Sequence, residues 1–539
     1  MTSVTGFSGR FWYWGSRLLA AAILVPLIVI FGAWLAPTTE VWGHLAATVL
    51  PTLIGNTLLL IVGVAMGTLL LGVSLAWLVS TCEFPGRRWF DWALMLPFAL
   101  PTYVMAFVFL GLLDFQGPVQ GLVREAFGLP MSWSVEVRHS ASVLAIMVLV
   151  LYPYVYLLAR VAFLKQGRAA LEAAHTLGMT SWQSFFRIAL PMARPAIIGG
   201  VSLAVMEALA DFGAVAVFNY DTFTTAIYKS WFGFFDLNAA SQLASLLLLF
   251  VFILLYLERY GRSRARFDEV GSSLDPRTYH LRGLRATAAS TYCGLVLLLA
   301  FVIPMAQLLL WAHRWIDDLD FAYLSLLGNT LALGAMAAIA TTAGGLVLAY
   351  ALRRDTSWLT RASVRIGTLG YAIPGSVLAV AVMWSLSWID HRVAEVWLWL
   401  TGTEATWLFV GGVFSLILAY FARFLALAFN PIDSALERVR PSVREAAQSL
   451  GFTGVRLVWR IYVPILRPGL LTAALLVLVD VMKEMPATML LRPFGWDTLA
   501  VRIYGLSSEG LWERAALPSV ALVAAGLIPV FLLVARGRR

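Results

Sequence analysis

The sequence predicts an all-α polytopic membrane protein, with about twelve transmembrane helices in two homologous six-helix halves. Three observations carry that prediction: charge too sparse to cover a water-facing surface, twelve apolar stretches of bilayer length, and residue identities that recur at one fixed offset. Hydrophobic residues make up 60% of the 539 and charged residues 13%. A soluble domain carries roughly 25% charged residues. Mean hydropathy is +0.82. These figures exclude an ordinary soluble enzyme, a disordered chain and a secreted disulfide scaffold. Cys82 and Cys293 lie in or beside apolar runs and suggest neither a disulfide framework nor a zinc site.

A spanning helix needs about 20 mostly apolar residues. Twelve such stretches lie near 18–36, 55–80, 91–113, 141–160, 196–217, 241–257, 288–311, 329–351, 366–388, 407–429, 469–491 and 515–535. They lack the alternation of barrel strands, and lipid offers no partner to an unpaired backbone group, so each is expected to be helical. The first stretch lacks a clear small-residue cleavage site and reads as a retained span rather than a signal peptide. With both termini placed in the cytoplasm, 30 of the 39 Lys and Arg residues fall on cytoplasmic segments, Arg423 counted among them. The net charge of +9 therefore reads as a topology signal, not a nucleic-acid footprint.

The repeat has an offset of 273 residues. Asn56-Thr57 recurs as Asn329-Thr330, Pro101 as Pro374, Arg187-Ile188 as Arg460-Ile461, Pro191 as Pro464, Arg194-Pro195 as Arg467-Pro468 and Thr225 as Thr498. Residues 172–198 and 445–471 agree at 11 of 27 positions without a gap. Chance would match leucines between two apolar stretches, not Glu, Gly, Pro, Arg and Asn in register. Six spans in each half make both halves cross the membrane in the same sense, as parallel repeats about an axis along the membrane normal. The expected division is a first unit over 1–258, a cytoplasmic linker over 259–287 and a second unit over 288–539.

The most similar segments lie between spans four and five and between spans ten and eleven, both on the cytoplasmic side. The first holds Glu172, Ala173, Ala174 and Gly178; the second holds Glu445, Ala446, Ala447 and Gly451. An acid followed by alanines opens a helix well, and the glycine ends it and turns the chain. A short helix–turn–helix along the membrane face is expected. Two equal sockets suit a symmetric pair of partners; the plainer reading is a helix that anchors the bundle.

The spacing Glu-Ala-Ala, three residues, Gly, nine residues, Ile, two residues, Pro resembles the signature of bacterial binding-protein-dependent ABC transporter permeases. It occurs twice, so the chain resembles two such units fused, with the type I importer permease fold. More narrowly, Met206–Gly213, Asp221–Tyr228, Lys483–Gly495 and Asp497–Ala500 resemble the ferric iron permeases. The resemblance implies an inner-membrane transport subunit with no enzyme activity. Two cytoplasmic ATPase subunits would hold the twin loops, and a periplasmic binding protein would deliver the cargo. The sequence agrees on two points. Its lysines, Lys165, Lys229 and Lys483, never follow glycine, so there is no P-loop, and ATP and Mg would act on the partners. The outside loops are too short to form a capture domain. Related permeases for thiamine, polyamines or phosphonates share the architecture, and an ion-gradient-driven transporter is a reading from another class.

Charge within the spans supplies the candidate path. Glu207 and Asp211 are four residues apart, which puts them on one face of a continuous helix. The offset pairs Glu207 with Asp480 and Asp211 with Glu484, and Lys483 lies between those two. A charge inside a span costs at least about 2.5–3.5 kcal/mol and usually faces a functional interior. Four carboxylates and one Lys suit a hard cation; the bland alternative is that they fix helix packing. The histidines show no metal-ligand spacing.

Overall fold

The computed structural model describes residues 7–35, 39–263, 279–318, 320–355, 357–403 and 408–537. Most of the expected linker, 264–278, lies outside them. Twelve helices frame the protein. In the first half they are α1 (Phe7–Val29), α2 (Leu50–Thr81), α3 (Thr102–Leu113), α4 (Ser140–Thr176), α5 (Leu190–Ala210) and α6 (Leu237–Ser263). In the second they are α7 (Leu284–Leu297, continuing as Ile303–Arg314), α8 (Phe321–Arg354), α9 (Gly375–Thr401), α10 (Val413–Glu437), α11 (Val463–Lys483) and α12 (Trp512–Gly537). Among the described residues, eleven stretches, one in each expected span but the last, are long and apolar enough to cross a bilayer. The last span falls on α12, whose side chains from 528 onward are outside the described part.

Helix α2 shows how these segments solve the bilayer. Leu58, Val62, Met66 and Leu70 recur every four residues and are exposed, a stripe suited to lipid. Leu53, Leu60 and Val64 on the other side are buried. The buried Thr68 hydroxyl donates to the Val64 carbonyl at 2.7 Å. Its repeat mate Thr341 donates to Ala337 at 2.7 Å. The polar atom is thus satisfied one turn back, without a neighbour.

The repeat is equally visible in packing. Helix α2 crosses α4 at Gly72, where an added Cβ would meet Val155 Cβ at 2.7 Å and the Tyr156 nitrogen at 3.0 Å. Helix α8 crosses α10 at Gly345, 273 residues on, where a Cβ would meet Ala428 and Phe429 backbone at 3.2 Å. Small residues let helix backbones approach where lipid supplies no hydrophobic drive to associate.

The halves are not laid side by side. Helix α1 packs on α8 and α9 of the second half: the Trp12 ring lies 4.6 Å from that of Tyr350, and Gly15 abuts Val347. In return α7 packs on the first half, Trp311 against Gly111 and Cys293 within a cluster with Val79 and Phe90. Each half has exchanged its first helix with the other. A two-residue parallel ladder, β1 (Cys82–Glu83) with β2 (Tyr279–His280), pins the end of the linker to the end of α2.

Four of the expected spans are interrupted; in 366–388 a tight turn at Gly370–Ala372 and Pro374 separate a helix ending at Leu369 from α9. The stretch 91–113 is a short helix Arg87–Ala93, a tight turn Leu96–Ala99, and then α3. Pro97 and Pro101 explain it, since each removes a backbone donor and Pro101 forces extended backbone on Leu100 (ψ 120°). The stretches 196–217 and 469–491 break after Ala210 and Lys483. The expected short coupling helix is separate only in the second half, as Pro441–Ser449. In the first half α4 runs through Glu172 without a stop. Pro441 stands where the first half has Arg168, and it turns Arg440 to ψ 143°.

Gly72→Val should wedge α2 from α4 and destabilise the folded protein by about 1–3 kcal/mol. Gly345→Ala, with looser neighbours, should cost less; thermal unfolding of both purified variants in detergent measures the order. At the turn after α8, burial pushes the Asp355 carboxyl up, but donors outweigh it: Ser357 N at 2.9 Å, Ser357 Oγ at 2.7 Å and Thr360 Oγ1 at 2.6 Å. Its pKa lies below the usual aspartate value. A lowered folded-state pKa gives stability that is present above the unfolded value, about 3.9, and lost as pH falls through the folded one. Asp355→Asn should therefore melt slightly earlier than the native chain at pH 7, with the gap closing below about pH 4; a melting series against pH tests this.

Candidate functional site

The two breaks are built alike. Asp211 leaves α5 with extended backbone (ψ 129°), and Glu484 leaves α11 likewise (ψ 113°). Each acid then caps the short helix that follows. Asp211 Oδ1 accepts from Ala214 N at 2.8 Å, opening Gly213–Val217. Glu484 Oε1 accepts from Ala487 N at 3.2 Å, opening Pro486–Leu491. A carboxylate at a helix start answers freed N–H groups and suits the dipole. The expectation that Glu207 and Asp211 share one face of a continuous helix is therefore corrected: the helix ends between them.

The partners of the two caps differ. Asp211 Oδ2 accepts from Thr102 Oγ1. At the repeat position of Thr102 stands Gly375, and Glu484 is instead paired with Arg423, Nε to Oε2 at 3.3 Å. A side chain at 375 would collide with Glu484 and the Arg423 guanidinium. Arg423 belongs to α10, is only 7% exposed, and its Nε and Nη1 have no hydrogen-bond partner. Its placement on a cytoplasmic segment is therefore wrong. The apolar residues flanking it on both sides, from Phe414 to Phe429, were the signal that puts it within the span.

These groups line one cavity of about 900 Å³ between the halves, with Glu207, Asp211, Asp480, Lys483, Glu484 and Arg423 all at its wall. All five candidate path residues are thus brought together. The apolar walls hold them at low dielectric, where charges act more strongly than in water. Tyr371 faces Glu207 and Tyr154, and the buried Tyr103 hydroxyl, without a hydrogen-bond partner, faces Asp211 and Glu484. Lys483 Nζ donates to the Phe98 carbonyl at 2.9 Å, which ties α11 to the tight turn before α3. With Arg423 included, four carboxylates and two cations leave a fixed charge of −2 when all groups ionise. Among the described residues, no three His, Cys, Asp or Glu side chains form a group that could hold a metal ion. The cavity can attract a cation and contact it through oxygen atoms without caging it.

The chain after each break is held by repeated contacts. Asn56 Nδ2 donates to the Asp221 carbonyl at 2.8 Å. Asn329 Nδ2 donates to the carbonyls of Gly495 and Asp497, both at 3.1 Å. These explain why the asparagine recurs.

The twin loops share one geometry at the far end of α4 and α10. Gly178 (φ 77°) and Gly451 (φ 82°) both occupy the left-handed region, where glycine carries no Cβ penalty. Met179 N donates to Ala174 O at 3.0 Å, and Phe452 N to Ala447 O at 3.0 Å, the closure expected of a glycine stop. A wide helical turn follows at Phe185–Ala189 and at Val458–Tyr462, in register. Ala174 and Ala447 are buried, while Glu445 and Ala446 are exposed. Leu177 and Leu450 project at 76% and 75% exposure. The side chains of Glu172 and Ala173 are outside the described part.

Comparison with known proteins agrees with this duplicated build. The chain is 26% identical over 488 residues to an Fe(3+)-transport system permease protein of Haemophilus influenzae, covering 89% of both chains. It is 32% identical over 202 residues to the sulfate transport system permease protein CysT of Escherichia coli, 35% of this chain and 70% of that one. It is 33% identical over 147 residues to the molybdenum transport system permease protein ModB of the same organism, 27% and 62% of the two chains. Among solved structures, a chain of a bacterial alginate ABC transporter aligns with 47% of this chain at 17% identity and a TM-score of 0.37, too weak a likeness to support anything further. The family described as binding-protein-dependent transport system inner membrane component matches twice, over residues 68–260 and 341–537. The chain belongs to that family, as a fused two-unit, multi-pass permease with ABC importer architecture.

Proposed function

We propose that this chain is the membrane channel of an ATP-driven importer for ferric iron. The observation that supports the cargo most directly is the acidic cavity between the broken helices, in a chain similar over most of its length to an Fe(3+) permease. A trivalent ion is a hard cation that prefers oxygen ligands, and the residues of the wall include carboxylates and phenols. Loose contact suits transport, since a tight cage would hinder release. The sulfate and molybdenum relatives favour a second reading, an oxyanion cargo. The excess of carboxylates over cations in the cavity argues against it.

In the proposed machine both termini are cytoplasmic, 1–258 and 288–539 are the two permease units, and 259–287 is their linker. A periplasmic binding protein delivers iron from outside. Two cytoplasmic ATPase subunits, which bind ATP and Mg, hold the loops at Glu172–Gly178 and Glu445–Gly451. Their glycine stops and projecting Leu177 and Leu450 give two equal handles. ATP-driven closure of the motor pulls both handles, and the halves rock between outward and inward access.

Proteoliposomes holding this chain with its ATPase and binding protein should take up radioactive iron(III) only with ATP inside; uptake without ATP, or uptake of sulfate instead, would sink the proposal. Glu207→Gln with Asp480→Asn should cut that uptake by roughly tenfold or more with ATP hydrolysis retained. Gly178→Val and Gly451→Val each strain a left-handed turn by about 1–3 kcal/mol. Each should lower uptake, and the pair should abolish co-purification of the ATPase.

A further inference from the structure

We infer that Arg423 is a resident counter-ion of the acidic cavity, displaced from Glu484 when the cargo cation arrives. The inference rests on the cation-path reading above and adds a role to a residue outside the repeat symmetry.

Four features carry it. First, Arg423 is one-sided: its repeat mate is Val150, an apolar residue of α4. Second, the structure makes room for it. Gly375 replaces Thr102 of the other half, and a Cβ there would strike both members of the Arg423–Glu484 pair. Third, the pair is loosely made. A buried guanidinium usually binds carboxylate in a bidentate fork at about 2.7–2.9 Å, whereas here Nε lies 3.3 Å from Oε2 and two nitrogens have no hydrogen-bond partner. Fourth, the loose groups sit at the cavity wall, Arg423 beside Glu484, which in turn faces the unpartnered hydroxyl of Tyr103.

A cation held this way solves a problem of empty transport sites. Four carboxylates in an apolar cavity repel one another when no cargo is present. Arg423 and Lys483 lower that repulsion. Lys483 is tied to the Phe98 carbonyl, so the loosely held Arg423 is the one free to move. A trivalent ion competes for Glu484 and pushes the guanidinium aside; when the ion leaves, Arg423 returns and favours release. The exchange keeps affinity low by making the cargo compete with a tethered charge. No covalent step is involved, and no proton need move.

The test uses the full-length chain in lipid nanodiscs and gallium(III), a redox-inert trivalent ion, buffered with nitrilotriacetate. Arg423→Met removes the charge and keeps much of the volume; it should bind gallium at least about tenfold more tightly, with slower iron uptake in the assembled importer. Arg423→Lys should restore near-native affinity. Unchanged or weaker binding by folded Arg423→Met overturns the inference. A native-chain measurement covers the case in which that variant fails to fold. Phenylglyoxal modification of Arg423, followed by peptide mass mapping, should speed up about threefold or more on adding gallium; an unchanged or slower rate overturns the exchange. The Glu207→Gln, Asp480→Asn double variant separates the two claims. If it binds gallium as well as the native chain, the cation path itself fails. If it loses binding while Arg423→Met gains none, only the exchange fails.

Discussion

Inside a bilayer a helix cannot simply stop. The N–H and C=O groups freed at its end have no water to turn to, so a break must be answered by side chains within the protein. Everything at the centre of this molecule follows from that constraint. At the breaks after Ala210 and Lys483 a carboxylate caps the helix that begins next. The caps bring charge to the middle of the bundle. The charge needs room and partners, and the cavity, Thr102, Arg423 and the Gly375 notch supply them. A structural necessity has placed acidic groups at the wall of the central cavity.

The duplication gives the frame and its departures give the chemistry. Positions that agree across the offset are mechanical: Gly72 with Gly345 at a helix crossing, Asn56 with Asn329 under a loop, Gly178 with Gly451 at a turn. Some of the positions that differ bear on the cavity: Thr102 against Gly375, Tyr103 against Ser376, Val150 against Arg423. Two separate, identical subunits could not differ in this way. Fusion into one chain lets each wall of the cavity carry its own groups while the handles below remain alike.

Much of this was legible in the sequence, for physical reasons. Apolar length sets the spans, and the 273 offset reveals the twin loops, because a glycine needed in the left-handed region is retained in both copies. The acids Glu207, Asp211, Asp480 and Glu484 stood out because charge is rare in spans. The breaks beside them were hidden. Hydropathy averages over a window and does not register a change from helix to extended backbone that leaves the residues apolar; only Pro486, just past Glu484, hinted at it. Arg423 was counted with the loop although its neighbours are apolar, because a tally of basic residues by segment gives no weight to depth. Gly375 could not be read at all, since the value of an absent side chain depends on which residues crowd it.

The exchange of α1 and α7 between the halves also bears on how the molecule is made. A ribosome delivers α1 first, yet its packing surfaces on α8 and α9 emerge some three hundred residues later. Until then the first six helices lack a neighbour that only the second set can give, and α1 must wait beside lipid with Trp12 unmatched. The first half therefore reaches its final form only once the second is inserted, and synthesis that ends early leaves a product with an open flank, suited to recognition by a membrane quality-control protease.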